Sequence, residues 1–390
     1  MKKKILHFID SGGVYGAEHV LLNLSREMLH SKDYTPVVGC IVQQRDEQSD
    51  LYDKALEFGI EAIRIKINNK IFFIDIFKTA FLFKKIEIDC IHSHGYKPSV
   101  VGYVIQKITG IPVISTCHLW YMAGKKALKQ RLMIRLELFF YRFFPKVVCV
   151  SEPIRQFLLH ARVPENKIVW IKNGIYISDY SLESVLACLK FKQELGISPE
   201  TFVLVNIARL SKQKAQDNII AAANILKQQG VDCMFLIVGE GPMRSDYEET
   251  VRNLHLQDYV KFLGFRQDVK HLLCLSNAFV LPSRDEGLPM SLLEAIASHT
   301  PAIVTPVGDI PGLVQHEKSA YIIPVNDVGA IVKAVQWMIN NQDACKKIAE
   351  NAFEHVNACY SASAMFKAYR SVYEEVMMSR HRGAKAQGHK

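Results

Sequence analysis

Short apolar runs alternate along the chain with segments in which apolar residues recur at three- and four-residue spacing. In the first half the runs fall at residues 4–9, 37–42, 62–67, 89–92, 112–116 and 146–150. They are nearly continuous rather than alternating, and turn residues or helix-period segments bound them. A strand buried on both faces reads this way, and the helical segments between runs supply the crossovers of βαβ units in a parallel sheet. The pattern pauses between residues 176 and 198. It then restarts with runs at 202–207, 234–238, 260–262, 278–281, 302–304 and 321–323. Two successive patterns predict an α/β protein of two Rossmann-like, doubly wound parallel-sheet domains facing across a cleft. The predicted boundaries are 1–177 for the N-terminal domain, 178–197 for a linker and 198–360 for the C-terminal domain. A helix at 361–378, able to pack back on the N-terminal domain, and a disordered tail at 379–390 complete the chain. In such folds loop chemistry gathers at the carboxyl ends of the strands.

Composition sharpens this picture only in places. The 390 residues, 49% hydrophobic and 22% charged, suit two cores and exclude a disordered or fibrous chain. No apolar run approaches the length of about eighteen residues that a membrane span needs. The lysine-led start is broken by His7 and Asp10, so it reads as a first strand rather than a signal peptide, and a cytoplasmic location is expected. Nine cysteines without a Cys-x-x-Cys pair, several in apolar runs such as Cys90 and Cys149, read as reduced and buried. Charge is more informative. The net charge is +9, and residues 1–150 carry 22 Lys and Arg against 14 Asp and Glu. A basic N-terminal half favours an anionic partner: a membrane surface, a lipid-phosphate acceptor or a nucleic acid. No nucleic-acid module is recognisable, so nucleic acid is set aside.

Four clusters carry candidate chemistry. Gly12 and Gly13 lie between the first strand and a helical segment at 17–29. There a bare backbone at a helix amino-terminus lets an anion approach, or simply makes a tight turn. Arg209 ends a strand and Lys214 follows it; together they can grip a diphosphate, or be ordinary surface charge. Gly239, Glu240 and Gly241 close another strand in a turn that serves either a ligand or the fold. The sharpest cluster is Glu286-Gly287-Leu288-Pro289-Met290, with Glu294 farther along the same segment. Pro289 suits the first position of a helix. Both glutamates then border that helix start, as acceptors for sugar and ribose hydroxyls or as two surface acids.

Glu286 and Glu294 match the Glu-x7-Glu signature of family 4 retaining glycosyltransferases, which have the GT-B fold. The other clusters occur in that family's order. Gly12-Gly13 resembles its N-terminal glycine loop, and Ala208-Arg209-Leu210 with Lys214 resembles its Gly-Arg-Leu…Lys element. Val238-Gly239-Glu240-Gly241-Pro242 and Gly308-Asp309-Ile310-Pro311 also resemble family elements. The resemblance spans nearly the whole chain and points to bacterial surface-polysaccharide enzymes. It implies a retaining, metal-independent hexosyl transfer from a nucleotide sugar, expected to be a UDP-sugar, to a glycan or lipid-linked acceptor, with no cofactor. It implies that Arg209 and Lys214 hold the donor diphosphate, that Glu294 binds the ribose, and that Glu286 contacts the donor sugar. It also implies that His118, after the strand at 112–116, reaches that sugar. Gly12, Gly13, Gly239, Glu240, Gly287, Leu288, Pro289 and Met290 complete the implied donor site. The absence of Asp-x-Asp agrees with a metal-free mechanism. Two departures stand out: Gly287-Leu288-Pro289 replaces the common Gly-Phe-Gly, and Asp309 and Gly312 replace Gly and Glu of Gly-Gly-Ile-Pro-Glu. A sugar-nucleotide epimerase of the same fold and a catalytically silent nucleotide-binding protein are the alternatives.

The remaining signals are histidines and aromatic segments. His92 and His94 form an i, i+2 pair with no evident third metal ligand, which favours a structural or acceptor-side role. His299 is expected at the carboxyl end of the Glu294 helix. Residues 71–86 and 125–146 mix phenylalanines with cations. The first reads as core aromatics with solvated lysines, and the second as a face for an anionic membrane, with Lys125, Lys126, Lys129 and Arg131 among its cations.

Overall fold

A computed structural model describes residues 2–10, 13–14, 16–43, 49–68, 72–118, 128–180 and 185–387, without the side chains of 128–131, 185–187 and 379–387. The calls on Gly12, Lys125 and Lys126, and on the side chains of Lys129 and Arg131, lie outside the described residues. The chain divides into two compact units, residues 1–174 with 362–390 and residues 175–361. The C-terminal helix Ala362–Gln387 therefore belongs to the first unit, and it runs into the stretch expected to be an unstructured tail. The segment expected as a linker contains the helix Val185–Glu194 of the second unit.

Among the described residues the first unit holds seven parallel strands: β1 (Lys3–Ile9), β2 (Tyr34–Val42), β3 (Glu61–Lys66), β4 (Cys90–His94), β5 (Val113–Cys117), β6 (Val147–Cys149) and β7 (Ile168–Trp170). Their order is β3-β2-β1-β4-β5-β6-β7. The second unit holds six: β8 (Phe202–Ile207), β9 (Cys233–Val238), β10 (Val260–Gly264), β11 (Ala278–Leu281), β12 (Ala302–Val304) and β13 (Tyr321–Ile322), in the order β10-β9-β8-β11-β12-β13. β7 escaped the hydrophobic pattern because it is a short edge strand whose Trp170 faces solvent.

Each sheet is covered on both faces, which explains why its strands read as continuous apolar runs. Along β8, Val203 and Val205 enter one core while Phe202 and Leu204 enter the other. In the first unit Leu6 and Phe8 of β1 join the larger core, and Ile9 packs on the opposite face beneath the helix Gly16–Leu29. The strand order reverses between β1 and β4 and again between β8 and β11. The carboxyl ends beside these switch points are the places where open α/β sheets bind ligands.

Two expectations are corrected here. Cys188 and Cys274 form a disulfide between the helices Val185–Glu194 and Val269–Leu275, although the cysteines read as reduced. A separation of 86 residues hid that pairing from the sequence. In the helix Phe72–Lys85 the aromatics are not all core: Phe73, Phe77 and Phe81 are 70%, 61% and 72% exposed, whereas Phe83 is buried. Among the described residues no helix is long and apolar enough to cross a membrane.

Candidate active site

The second unit assembles its site from the loops after β8 and β11, on either side of the switch point. After β8 the chain passes through Arg209, which is exposed, into a single 3-10 turn at Lys212–Lys214. After β11 it passes through Ser283 and Arg284 to Glu286 and the helix Met290–Ala297. The two loops are tied together. Lys214 Nζ donates to both carboxylate oxygens of Glu286 at 2.6 Å, and Ser283 Oγ donates to Oε1 at 2.7 Å. The Glu286 side chain is only 5% exposed, so the ammonium beside it satisfies a carboxylate that would otherwise be costly to bury.

Arg284 forms the frame rather than the site. Its guanidinium forks onto Asp217 at 2.7 and 3.1 Å, and it also reaches the Lys212 carbonyl and Asn326. The backbone adds a second clasp, from the Arg284 amide to the Gln213 carbonyl at 2.8 Å.

Gly239 and Gly308 serve close packing. At Gly239 (φ +131°) a Cβ would lie 2.2 Å from the Ala208 carbonyl, so a side chain there would displace the segment that carries Arg209. At Gly308 (φ +58°) a Cβ would lie 2.2 Å from the Glu286 carbonyl. Glu240 pairs with Arg244, which also holds Glu248 at 2.8 Å. Gly287 accepts from the Asp309 amide at 3.1 Å, which brings the two departures from the family pattern side by side. Leu288 and Met290 are half-buried against the core.

Pro289 is the residue before the helix, not its first member. Its carbonyl accepts from the amides of Leu292 and Leu293, while the helix starts at Met290. Glu294 lies on this helix and bonds to Tyr180. Burial pushes its carboxyl up to about 7, and the Tyr180 bond opposes that rise. His299 follows the helix end, stacks on Phe353 and meets Glu350 at 3.1 Å, as a structural residue would.

The first unit places its candidates at the ends of β1, β4 and β5. Gly13, which is buried, follows β1. Asp10 at the end of β1 meets Lys97, in the helix that follows β4, at 3.2 Å. His118 follows β5 and bonds through Nε2 to His94 Nδ1 at 3.1 Å. His94 Nε2 meets His7 Nδ1 at 3.3 Å, and His7 Nε2 meets Met28 Sδ at 3.4 Å. His92 bonds to Tyr373 at 2.8 Å and to Thr116 at 2.7 Å, and Thr116 bonds to Tyr369 at 2.9 Å. A third imidazole therefore does join the His92–His94 pair: one ligand nitrogen from each of His7, His92 and His94 lies within 4.8 Å of the others. A metal would have to displace existing bonds, since both nitrogens of all three rings have partners. Desolvation holds His7 at about 3 and His118 at about 4, and it holds His92 and His94 well below the usual imidazole range.

Residues 14–179 match the model of Glycosyltransferase Family 4, and residues 189–355 match that of Glycosyl transferases group 1. The chain is a family 4 glycosyltransferase. Over 260 residues it is 28% identical to the UDP-Gal:alpha-D-GlcNAc-diphosphoundecaprenol alpha-1,3-galactosyltransferase of Escherichia coli, covering 65% of this chain and 67% of that one. It is 27% identical to the N-acetyl-alpha-D-glucosaminyl L-malate synthase of Bacillus anthracis, covering 77% and 78%. Among solved structures, Anabaena HepE in complex with UDP superposes with a TM-score of 0.81 at 20% identity, covering 96% of this chain and 100% of that one. These likenesses agree with the GT-B expectation of two parallel-sheet domains.

Several neighbours of the candidate residues of this glycosyltransferase carry no motif in the sequence. Lys97, Ser283 and Tyr180 sit beside residues that were named, yet each gains its partner only by folding. His7 looked like a blemish in an apolar strand. A polar residue interrupting a buried run was the available signal.

Proposed function

We propose that this glycosyltransferase moves a sugar, with retention of anomeric configuration, from a UDP-sugar to a glycan or lipid-linked acceptor of the cell envelope. The Lys214–Glu286 pair carries the reading. An ammonium has three donors, and two face Glu286; the third is left for a phosphate. A carboxylate has about four lone-pair positions, and Lys214 and Ser283 use three; the fourth is left for a sugar hydroxyl. One rigid pair thus offers adjacent contacts to the two sides of the bond that breaks between sugar and diphosphate.

Arg209 adds the second cation, and charge developing on the departing UDP is neutralised by side chains rather than by a metal. Glu294 takes the ribose hydroxyls, and the family resemblance assigns His118 to the donor sugar. The departing phosphate accepts the acceptor's proton on the same face of the sugar. Support for UDP comes from the HepE complex, and support for a lipid-linked acceptor comes from the galactosyltransferase, whose name contains diphosphoundecaprenol.

A peripheral membrane location fits the same reading. The helix Phe72–Lys85 exposes Phe73, Ile74, Phe77 and Phe81 beside the exposed Lys78, Lys84 and Lys85. Leu132, Leu136, Phe139 and Phe143 form a second exposed apolar stripe. Aromatics flanked by lysines suit an anionic bilayer surface.

The test is a panel of nucleotide sugars with a polyprenyl-diphosphate-linked sugar as acceptor, run with excess chelator and read by product NMR. The expected result is UDP release and a product of the donor's anomeric configuration. An inverted product, or complete loss of activity on chelation with recovery on adding manganese, overturns the mechanism.

A further inference from the structure

We infer that a chain of three imidazoles makes His118 a hydrogen-bond acceptor, with Met28 at the far end setting the direction of every proton and His7 and His94 acting as positioning residues. Its use in catalysis rests on the reading that His118 meets the donor sugar; the proton directions do not.

The chain runs Met28–His7–His94–His118, with contacts of 3.4, 3.3 and 3.1 Å. His7 and Met28 are fully buried and His94 nearly so, so water cannot serve as a partner along the chain. Desolvation keeps the three rings neutral. A neutral imidazole has one N–H and one lone pair. The thioether of Met28 has lone pairs only. His7 Nε2 must therefore carry its proton toward the sulfur, which leaves Nδ1 as an acceptor. His94 then donates from Nε2 to His7 and accepts at Nδ1. His118 in turn donates from Nε2 to His94, and its Nδ1 keeps a lone pair.

The reversed chain would set the bare Nε2 of His7 against sulfur lone pairs in a closed site and lose one hydrogen bond, a cost that biases the ratio by about tenfold. His92 imposes no such direction. Its partners, Tyr373 and Thr116, are hydroxyls that can donate or accept. Its ring packs 4.2 Å from that of His94 and holds it in place.

The chemical consequence is selectivity. A His118 that is neutral and unprotonated at Nδ1 accepts from a sugar hydroxyl and offers no donor there to a phosphate oxygen. The acceptor character is fixed by a methionine three contacts away, in the helix Gly16–Leu29.

The experiment uses the full chain labelled with 15N-histidine, with long-range proton–nitrogen spectra assigned by His→Gln variants. His7, His94 and His118 are expected as Nε2–H tautomers with Nδ1 unprotonated. Met28→Leu removes the acceptor at nearly constant volume, and the His118 ratio should then fall from about tenfold toward an even mixture. In that variant affinity for UDP, which lacks the sugar, should be unchanged. Affinity for UDP-glucose or UDP-galactose, whichever the wild type binds more tightly, should drop by about 1.8-fold, as the accepting fraction of His118 falls from about nine-tenths to one half. An Nδ1–H tautomer at His118 in the wild type overturns the inference, and that spectrum does not depend on any variant folding. So does an unchanged ratio in Met28→Leu, or one equivalent of zinc bound by the wild type and lost in His7→Gln. If the tautomers are as expected but His118→Ala keeps full kcat/KM, the proton directions stand and the sugar contact of His118 falls.

Discussion

Removing Lys214 tests whether the Lys214–Glu286 pair is a structural as well as a functional unit. In Lys214→Met the Glu286 carboxylate, 5% exposed, would keep Ser283 as its remaining side-chain partner among the described residues. Stripping a fully buried carboxylate of its counter-ion costs about 3–5 kcal/mol. Lys214 is 20% exposed, so water can partly replace it and the expected loss is about 2–3 kcal/mol. Glu286→Gln should cost less, because the amide still accepts from Ser283. The double variant should recover part of the loss, giving a coupling energy of about 1.5 kcal/mol or more. Hydrogen exchange of peptides from residues 202–238 reads the stability of the second unit by itself, without assuming that the whole chain unfolds in one step. A coupling below about 0.5 kcal/mol would show that the pair is no better than an exposed ion pair, and the argument for a rigid two-sided grip would fail.

Arg209→Ala should reduce kcat/KM by an amount equivalent to about 2–4 kcal/mol with an intact fold, since its charge is needed most as UDP departs; near-wild-type turnover would remove Arg209 from the site. Glu294 has a folded pKa of about 7 against an ordinary 4.5, so it favours the folded state when protonated. Stability should therefore be lost as pH rises from about 4.5 through 7, by up to about 3 kcal/mol. Glu294→Gln should flatten that window in urea unfolding across pH, and an unchanged slope would contradict the burial argument. Gly308→Ala should cost more than about 2 kcal/mol and weaken UDP binding, because its Cβ would strike the Glu286 carbonyl from a left-handed backbone. Gly312→Ala, with nothing within 4 Å of the new Cβ, is the control and should be nearly silent in thermal melts.

The sequence by itself determined the two parallel sheets, because a strand buried on both faces must be apolar along its whole length. Twelve of the thirteen strands among the described residues announced themselves in that way. The residue types of Arg209, Lys214, Glu286 and Glu294 were legible as a donor site through their resemblance to the family 4 pattern; by themselves these charges read equally well as solvated surface. Tertiary structure alone decided their partners. Lys214 and Glu286 are 72 residues apart, and only the neighbouring positions of β8 and β11 bring them within 2.6 Å. The same holds for the imidazole chain. His7, His94 and His118 come from three strands or strand ends that lie side by side in the first sheet, and Met28 comes from the helix packed on that face. Nor could the pattern say that Phe73, Phe77 and Phe81 point away from the core, because an aromatic in a helix is apolar whichever way it faces. Periodicity encodes which elements form; contact between distant loops depends on strand order, and strand order is written nowhere in the local sequence.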